Sequence, residues 1–174
     1  MGAAIVGLIF LVFLVVDFST PRKDGFVYFP PSEELVQAHQ RFTSKFKSLP
    51  KVELRMAHGT GANARVSVAQ VSPRLYRLVV WERTLEIMTE EELFSILGHE
   101  YSHILNDDLE FKITIYSVEK ELAADTGSIK LMKQMGLNPC ALASALRKLQ
   151  ENNEDRDPSI PERIEAVLKH CQGV

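Results

Sequence analysis

"LGHEYSH", Leu97 to His103, lies inside the run "EEELFSILGHEYSHIL" from Glu90 to Leu105, and the fold turns on how that run is read. Thr89 followed by Glu92 is a capping box, and three glutamates fill the next turn, so a helix begins at Glu90. Leu93, Ile96, Leu97, Tyr101 and Ile104 recur at helical spacing and predict a helix buried around most of its circumference. His99 and His103 are four residues apart. On a helix they differ by about 40° in azimuth and about 6 Å in rise, so both imidazoles can converge on one point. Two histidines and a glutamate would be an odd choice for a core that binds nothing. Gly98 costs helix propensity but lets another backbone come close.

Such a pair suits zinc, because two neutral imidazoles and a carboxylate leave a fourth position for water. Glu100, turned about 100° from His99, is placed to take a proton from a water that the ion acidifies. A third donor must come from elsewhere. A metzincin would have glycine at 106 and histidine at 109, where this chain has Asn106 and Leu109. The next helical stretch, "EKELAAD", offers Glu119, Glu121 and Asp125. Glu121 and Asp125 are again i and i+4, so one packed helix presents both. Glu121 would bind the metal, and Asp125 would accept an imidazole N–H and fix its tautomer. The competing reading is an ordinary solvated helical face.

The rest of the chain frames this motif. Its 174 residues, 45% hydrophobic and 25% charged, describe one ordinary globular domain. A formal charge of −3 gives no electrostatic reason to expect nucleic acid. Two cysteines, Cys140 and Cys171, exclude both a disulfide framework and a cysteine-ligated zinc; they form one bridge or stay as buried thiols. "MGAAIVGLIFLVFLVV", Met1 to Val16, carries no charge and would span about 24 Å as a helix, against ~30 Å of hydrocarbon. Residues 1–18 read as a single retained membrane anchor. The alternatives are a cleaved signal, leaving a secreted or periplasmic protein, and a buried core helix. Arg22 and Lys23 favour a cytoplasmic downstream segment, but a long domain can translocate regardless, so the side stays open.

Residues 19–31, rich in Pro, Gly and charge, read as a linker, and 32–174 as the domain. Ser32 caps a helix in which Leu35, His39, Phe42 and Phe46 share a stripe. Alternation around Val52, Leu54 and Met56, around Ala64, Val66 and Val68, and through "RLYRLVVWE" predicts three short strands in a small antiparallel sheet. His58 falls in the first turn, as a solvated loop histidine. Two further helices cover "CALASALRKLQE" and "PERIEAVLKHC". The fold class is therefore α+β: about three strands and a helical half.

The stretches "ELFSILGHEYSHI", "EKELAADTGSIKLMKQMGLNPCALASALRKL" and "DPSIPERIEAVL" resemble the catalytic core of the HtpX-like and Oma-type metallopeptidases, gluzincins whose group includes the CAAX prenyl proteases. Asn63-Ala64 resembles the "NA" signature ahead of that family's substrate-side strand. The likeness spans roughly Lys51 to His170. It implies a zincin-like domain and a zinc endopeptidase with one zinc per chain, ligands His99, His103 and Glu121, base Glu100, and Asp125 behind the ligands. It also implies an unfolded or membrane-associated protein substrate, often in envelope quality control. A substrate strand would pair with the sheet edge near Ala64 to Val71. Where the family commonly has histidine before a proline, this chain has Asp157, which either caps the last helix or sits near the zinc and restrains activity. Arg163 matches a recurrent arginine, to pair with a carboxylate, polarise a substrate carbonyl, or lie exposed. Tyr76, Tyr101 and Tyr116 are nominal oxyanion partners, each with a packing alternative. The rival to an active enzyme is a latent or non-catalytic zinc protein that recruits a partner.

Overall fold

Two of the helices begin where the sequence supplies a side-chain cap. The Ser32 hydroxyl accepts the Leu35 N–H at the start of α1 (Glu33–Lys45). Thr89 and Glu92 make both halves of the capping box that opens α3 (Glu90–Leu105). The computed structural model describes residues 27–46, 50–58, 63–109, 117–153 and 157–172. The apolar run expected to be an anchor lies outside these; among the described residues no helix is long and apolar enough to cross a membrane.

Among the described residues the sheet has four strands, β1 (Val27–Phe29), β2 (Lys51–His58), β3 (Val66–Ser72) and β4 (Leu75–Trp81), in the order β1-β2-β4-β3. This corrects the expected three. Val27–Phe29 is too short to display a period and sits among the Gly25, Pro30 and Pro31 that made 19–31 read as a linker. The sheet is also mixed rather than antiparallel. β3 and β4 form a hairpin that inserts β4 between β3 and β2, so β4 runs parallel to β2. Alternation reports which face a residue takes and is silent on which strand lies beside it. Val52, Leu54 and Met56 of β2 and Tyr76, Leu78 and Val80 of β4 face the main core, against Leu35 and Phe42 of α1 and Leu93, Phe94, Leu97 and Tyr101 of α3.

A six-residue helix, α2 (Glu82–Ile87), continues directly from β4 and had no periodic signal of its own. Its buried Thr84 hydroxyl donates to the Arg65 carbonyl and accepts the Arg65 N–H, both at 2.8 Å, which pins the start of β3. The helical half continues through α4 (Val118–Met135), ended by Gly136 at φ 72°, then α5 (Ala141–Glu151) and α6 (Ile160–Gln172). Ile96, Ile129, Leu142, Leu146, Ile160 and Val167 form a second core between these helices. Cys140 and Cys171 are disulfide-bonded, joining the start of α5 to the end of α6.

Helices α3 and α4 meet through small residues. Gly98 faces Ser128, and Gly127 faces Ser102. Ser128 Oγ donates across the interface to the Ser95 carbonyl at 2.6 Å, so close approach and polar satisfaction go together. A Cβ on Gly127 would lie 2.3 Å from Ser102 Oγ and 2.7 Å from its Cβ. Gly127→Ala should therefore push the helices apart and cost about 1–3 kcal/mol by urea unfolding, despite alanine's better helix propensity. A variant as stable as the parent would mean that the interface yields freely.

Candidate metal centre

The α3–α4 contact carries the two halves of the motif to one place. His99 and His103 turn their Nε2 atoms to within 3.1 Å of each other. Glu121, in the first turn of α4, sets Oε2 3.3 Å from His99 Nε2 and Oε1 3.4 Å from His103 Nε2. Around a tetrahedral ion with bonds of ~2.05 Å, neighbouring donors stand about 3.3 Å apart. The three donors thus have the spacing of one face of a zinc tetrahedron, and the residues fit the ion. Glu119, the other acidic candidate in this turn, is exposed and accepts a hydrogen bond from Ser117 Oγ instead.

Behind the donors lies a buried ionic layer. His99 Nδ1 is 2.8 Å from Asp125 Oδ1. Arg163, on α6 and only 5% exposed, forks onto Asp125 through Nε–Oδ2 and Nη2–Oδ1, both 2.8 Å. Its Nη1 reaches Glu121 Oε2 at 2.9 Å. Of the roles open to Arg163, the structure has it pairing with carboxylates, two at once. Asp157 stands in the turn before α6 and in the wall of the cleft. Its Oδ1 accepts the Ser159 N–H and hydroxyl in the turn before α6, and its Oδ2 stands 3.9 Å from Arg163 at the cleft wall.

Burial opposes a charge on His99, but hydrogen bonds to Asp125 and Glu121 outweigh it and raise its pKa to about 9 in the metal-free protein. Burial would likewise raise Glu121 and Asp125, yet their histidine and arginine partners hold both carboxyls below their ordinary values. Glu100 moves the other way: burial pushes its carboxyl up, with the nearby histidines only partly compensating. The clustered carboxylates thus favour positive charge at this point, whether a proton on His99 or a bound cation.

A cleft of about 400 Å³ covers the donors, with Glu100 in its wall. One flank is the start of β3, from Ala64 to Val68; others carry Ile96, Leu109, Leu146 and Ile160. The two oxyanion candidates among the described residues, Tyr76 and Tyr101, do not line it. Tyr76 belongs to the main core; Tyr101 is fully buried, stacks on Phe42 and hydrogen-bonds His39 Nε2 at 2.6 Å. Tyr116 lies outside the described residues. His58 pairs with Glu82 at the exposed end of β2, away from the cleft. One polar neighbour escaped sequence reasoning. Asp108 lies 3.0 Å from His103 Nδ1, an arrangement that depends on a left-handed residue at Asp107.

The model for peptidase family M48 matches residues 48–118, which run from just before β2 through α3 to the first residue of α4. No curated protein sequence matches the chain. Among solved structures, Ste24p of S. mikatae superposes with a TM-score of 0.61 at 14% identity, over 91% of this chain and 56% of that one. The likeness is one of fold, and this chain spans little more than half the length of that protein.

Arg163→Met would leave Asp125 and Glu121 buried without the guanidinium that pairs with both. The metal-free variant should lose about 3–5 kcal/mol at pH 7 in urea unfolding. The sign with pH follows from the depressed carboxyls: their stabilisation is complete above the unfolded-state value and is lost as pH falls through the folded one. The gap between parent and variant should therefore narrow in acid. A gap that stayed constant would remove these carboxylates from the account.

Proposed function

We propose that this chain, whose residues 48–118 match the model for peptidase family M48, is a zinc-dependent endopeptidase acting on protein substrates. The observation that carries the reading is the tetrahedral spacing of His99, His103 and Glu121 beneath a cleft that also holds Glu100. The ligands would be those three, one zinc per chain. Zinc, when bound, supplies Lewis acidity that polarises a carbonyl and acidifies water. Glu100 is the base that removes the water's proton, and burial raises its affinity for that proton. Asp125 keeps the His99 proton on Nδ1, which leaves the Nε2 lone pair for the ion, and Arg163 holds Asp125 and Glu121 in register.

Substrate would lie as a strand along β3, an edge of the sheet. Ladder bonds alternate in antiparallel pairs, and the Trp81 N–H to Arg65 carbonyl bond at 2.9 Å sets the phase. Arg65, Ser67 and Ala69 then bond inward to β4, while Val66, Val68 and Gln70 turn their backbone groups outward. The Ala64 N–H is committed to the Asn152 carbonyl at 3.1 Å, so pairing would begin at Val66 rather than Ala64. The Cys140–Cys171 bridge supports work in an oxidising compartment, outside the cytosol, and the apolar N-terminal run would hold the domain at a membrane.

Elemental analysis and cleavage of a casein-type substrate test the reading together. About one zinc per chain is expected. Glu100→Gln should keep the metal and lose at least ~100-fold in turnover. His99→Ala, His103→Ala and Glu121→Ala should lose the zinc, and Glu119→Ala should not. Zinc with no cleavage by the parent would leave a latent or partner-recruiting protein. Folded parent without zinc would end the proposal.

A further inference from the structure

The two imidazoles are supported differently. His99 has Asp125, delivered by α4 and locked by Arg163. His103 has Asp108, delivered by the turn that ends α3. The Asn106 N–H closes on the Ser102 carbonyl at 2.9 Å, and Asp107 then takes φ 58°, the left-handed conformation rare outside glycine. That residue reverses the chain, so that the Asp108 N–H returns to the His103 carbonyl at 3.0 Å while its carboxylate returns to His103 Nδ1 at 3.0 Å. Lys120 Nζ, from the first turn of α4, donates to the Asp108 carbonyl at 3.2 Å and holds the loop from the other side. The carboxylate is 13% exposed and the imidazole 11%, so water competes weakly for their contact.

We infer that Asp108 is a positioning residue: it fixes the Nδ1–H tautomer of His103 and aims Nε2 at the metal, and the left-handed turn at Asp107 exists to deliver it. The inference rests on the zinc reading above. It makes the end of α3, as well as the packed face of α4, part of the site. A carboxylate behind a ligand imidazole typically tunes metal affinity by about 10–100-fold.

The test is zinc affinity by competition with a chromophoric chelator, beside the visible spectrum of the cobalt-loaded protein. Asp108→Ala should weaken zinc by about 10–100-fold and alter the cobalt bands, while the metal-free unfolding midpoint stays near the parent's. Asp108→Asn keeps an acceptor oxygen in place and should restore most of the affinity. Asp107→Gly keeps the turn and should leave zinc unchanged, whereas Asp107→Val, unable to hold that φ, should weaken it in the same direction as Asp108→Ala. If the alanine variant does not fold, Asp108→Asn against Asp108→Ser makes the same comparison, because serine is too short to reach. Zinc binding by Asp108→Ala within about two-fold of the parent overturns the inference alone. A parent that takes up no zinc overturns the zinc reading, and this inference with it.

Discussion

The distance between α3 and α4 governs everything built on them. Two histidines on α3 fix a pair of donors by helical geometry, but the third donor belongs to another helix and arrives only if the backbones come close. Gly98 and Gly127 remove the side chains that would hold them apart, and Ser102 and Ser128 fill the gap with hydroxyls that bond to carbonyls. A wider interface would move Glu121 off the 3.3–3.4 Å it keeps from the two imidazoles. The close contact is therefore a constraint on the donor set as much as on the fold, and it explains why Gly98 stands directly before His99 in a helix that would otherwise favour alanine.

Around that contact the site is assembled from separate pieces, each with its own restraint. His99 is aimed by a carboxylate on a neighbouring helix, His103 by a carboxylate in its own helix's exit turn, and Glu121 by a guanidinium from the far end of the chain. Arg163 is the joint between them, since one side chain contacts Asp125 and Glu121 together. A buried arginine between two carboxylates is costly to desolvate, and its geometry on both offsets that cost.

What was legible in the sequence was whatever is written at helical spacing. The four-residue separations of His99 from His103 and of Glu121 from Asp125 declare shared faces, and the Thr89–Glu92 box declares where α3 starts. Glu121 was separable from Glu119 because only one of the two shares a face with Asp125. The features that escaped depend on backbone conformation or on partners distant in sequence. Asp108 shows no period with His103 and needs a left-handed Asp107 to reach it. Val27–Phe29 is strand only because β2 offers it an edge, and the parallel pairing of β2 with β4 is decided by where the hairpin folds back. Arg163 was recognisable as a candidate, but its two simultaneous partners follow from the packing of α6 on α4.

The Cys140–Cys171 bridge belongs to the same logic. Cys171 lies eight residues beyond Arg163 on α6, about 12 Å along the helix, too far to shape the guanidinium contacts directly. What it restrains is the helix as a rigid rod. With one end tied to the start of α5 and the other begun by the Asp157–Ser159 turn, α6 has little freedom to slide. A shift along its axis of one residue, about 1.5 Å, would be enough to break the bidentate geometry on Asp125. The core between α5 and α6 is modest, built on Leu142, Leu146, Ile160 and Val167, and in a domain of this size a covalent tie is an economical way to keep a buried arginine in place. The bond that ties α6 to α5 thus also restrains the helix whose Arg163 contacts both Asp125 and Glu121.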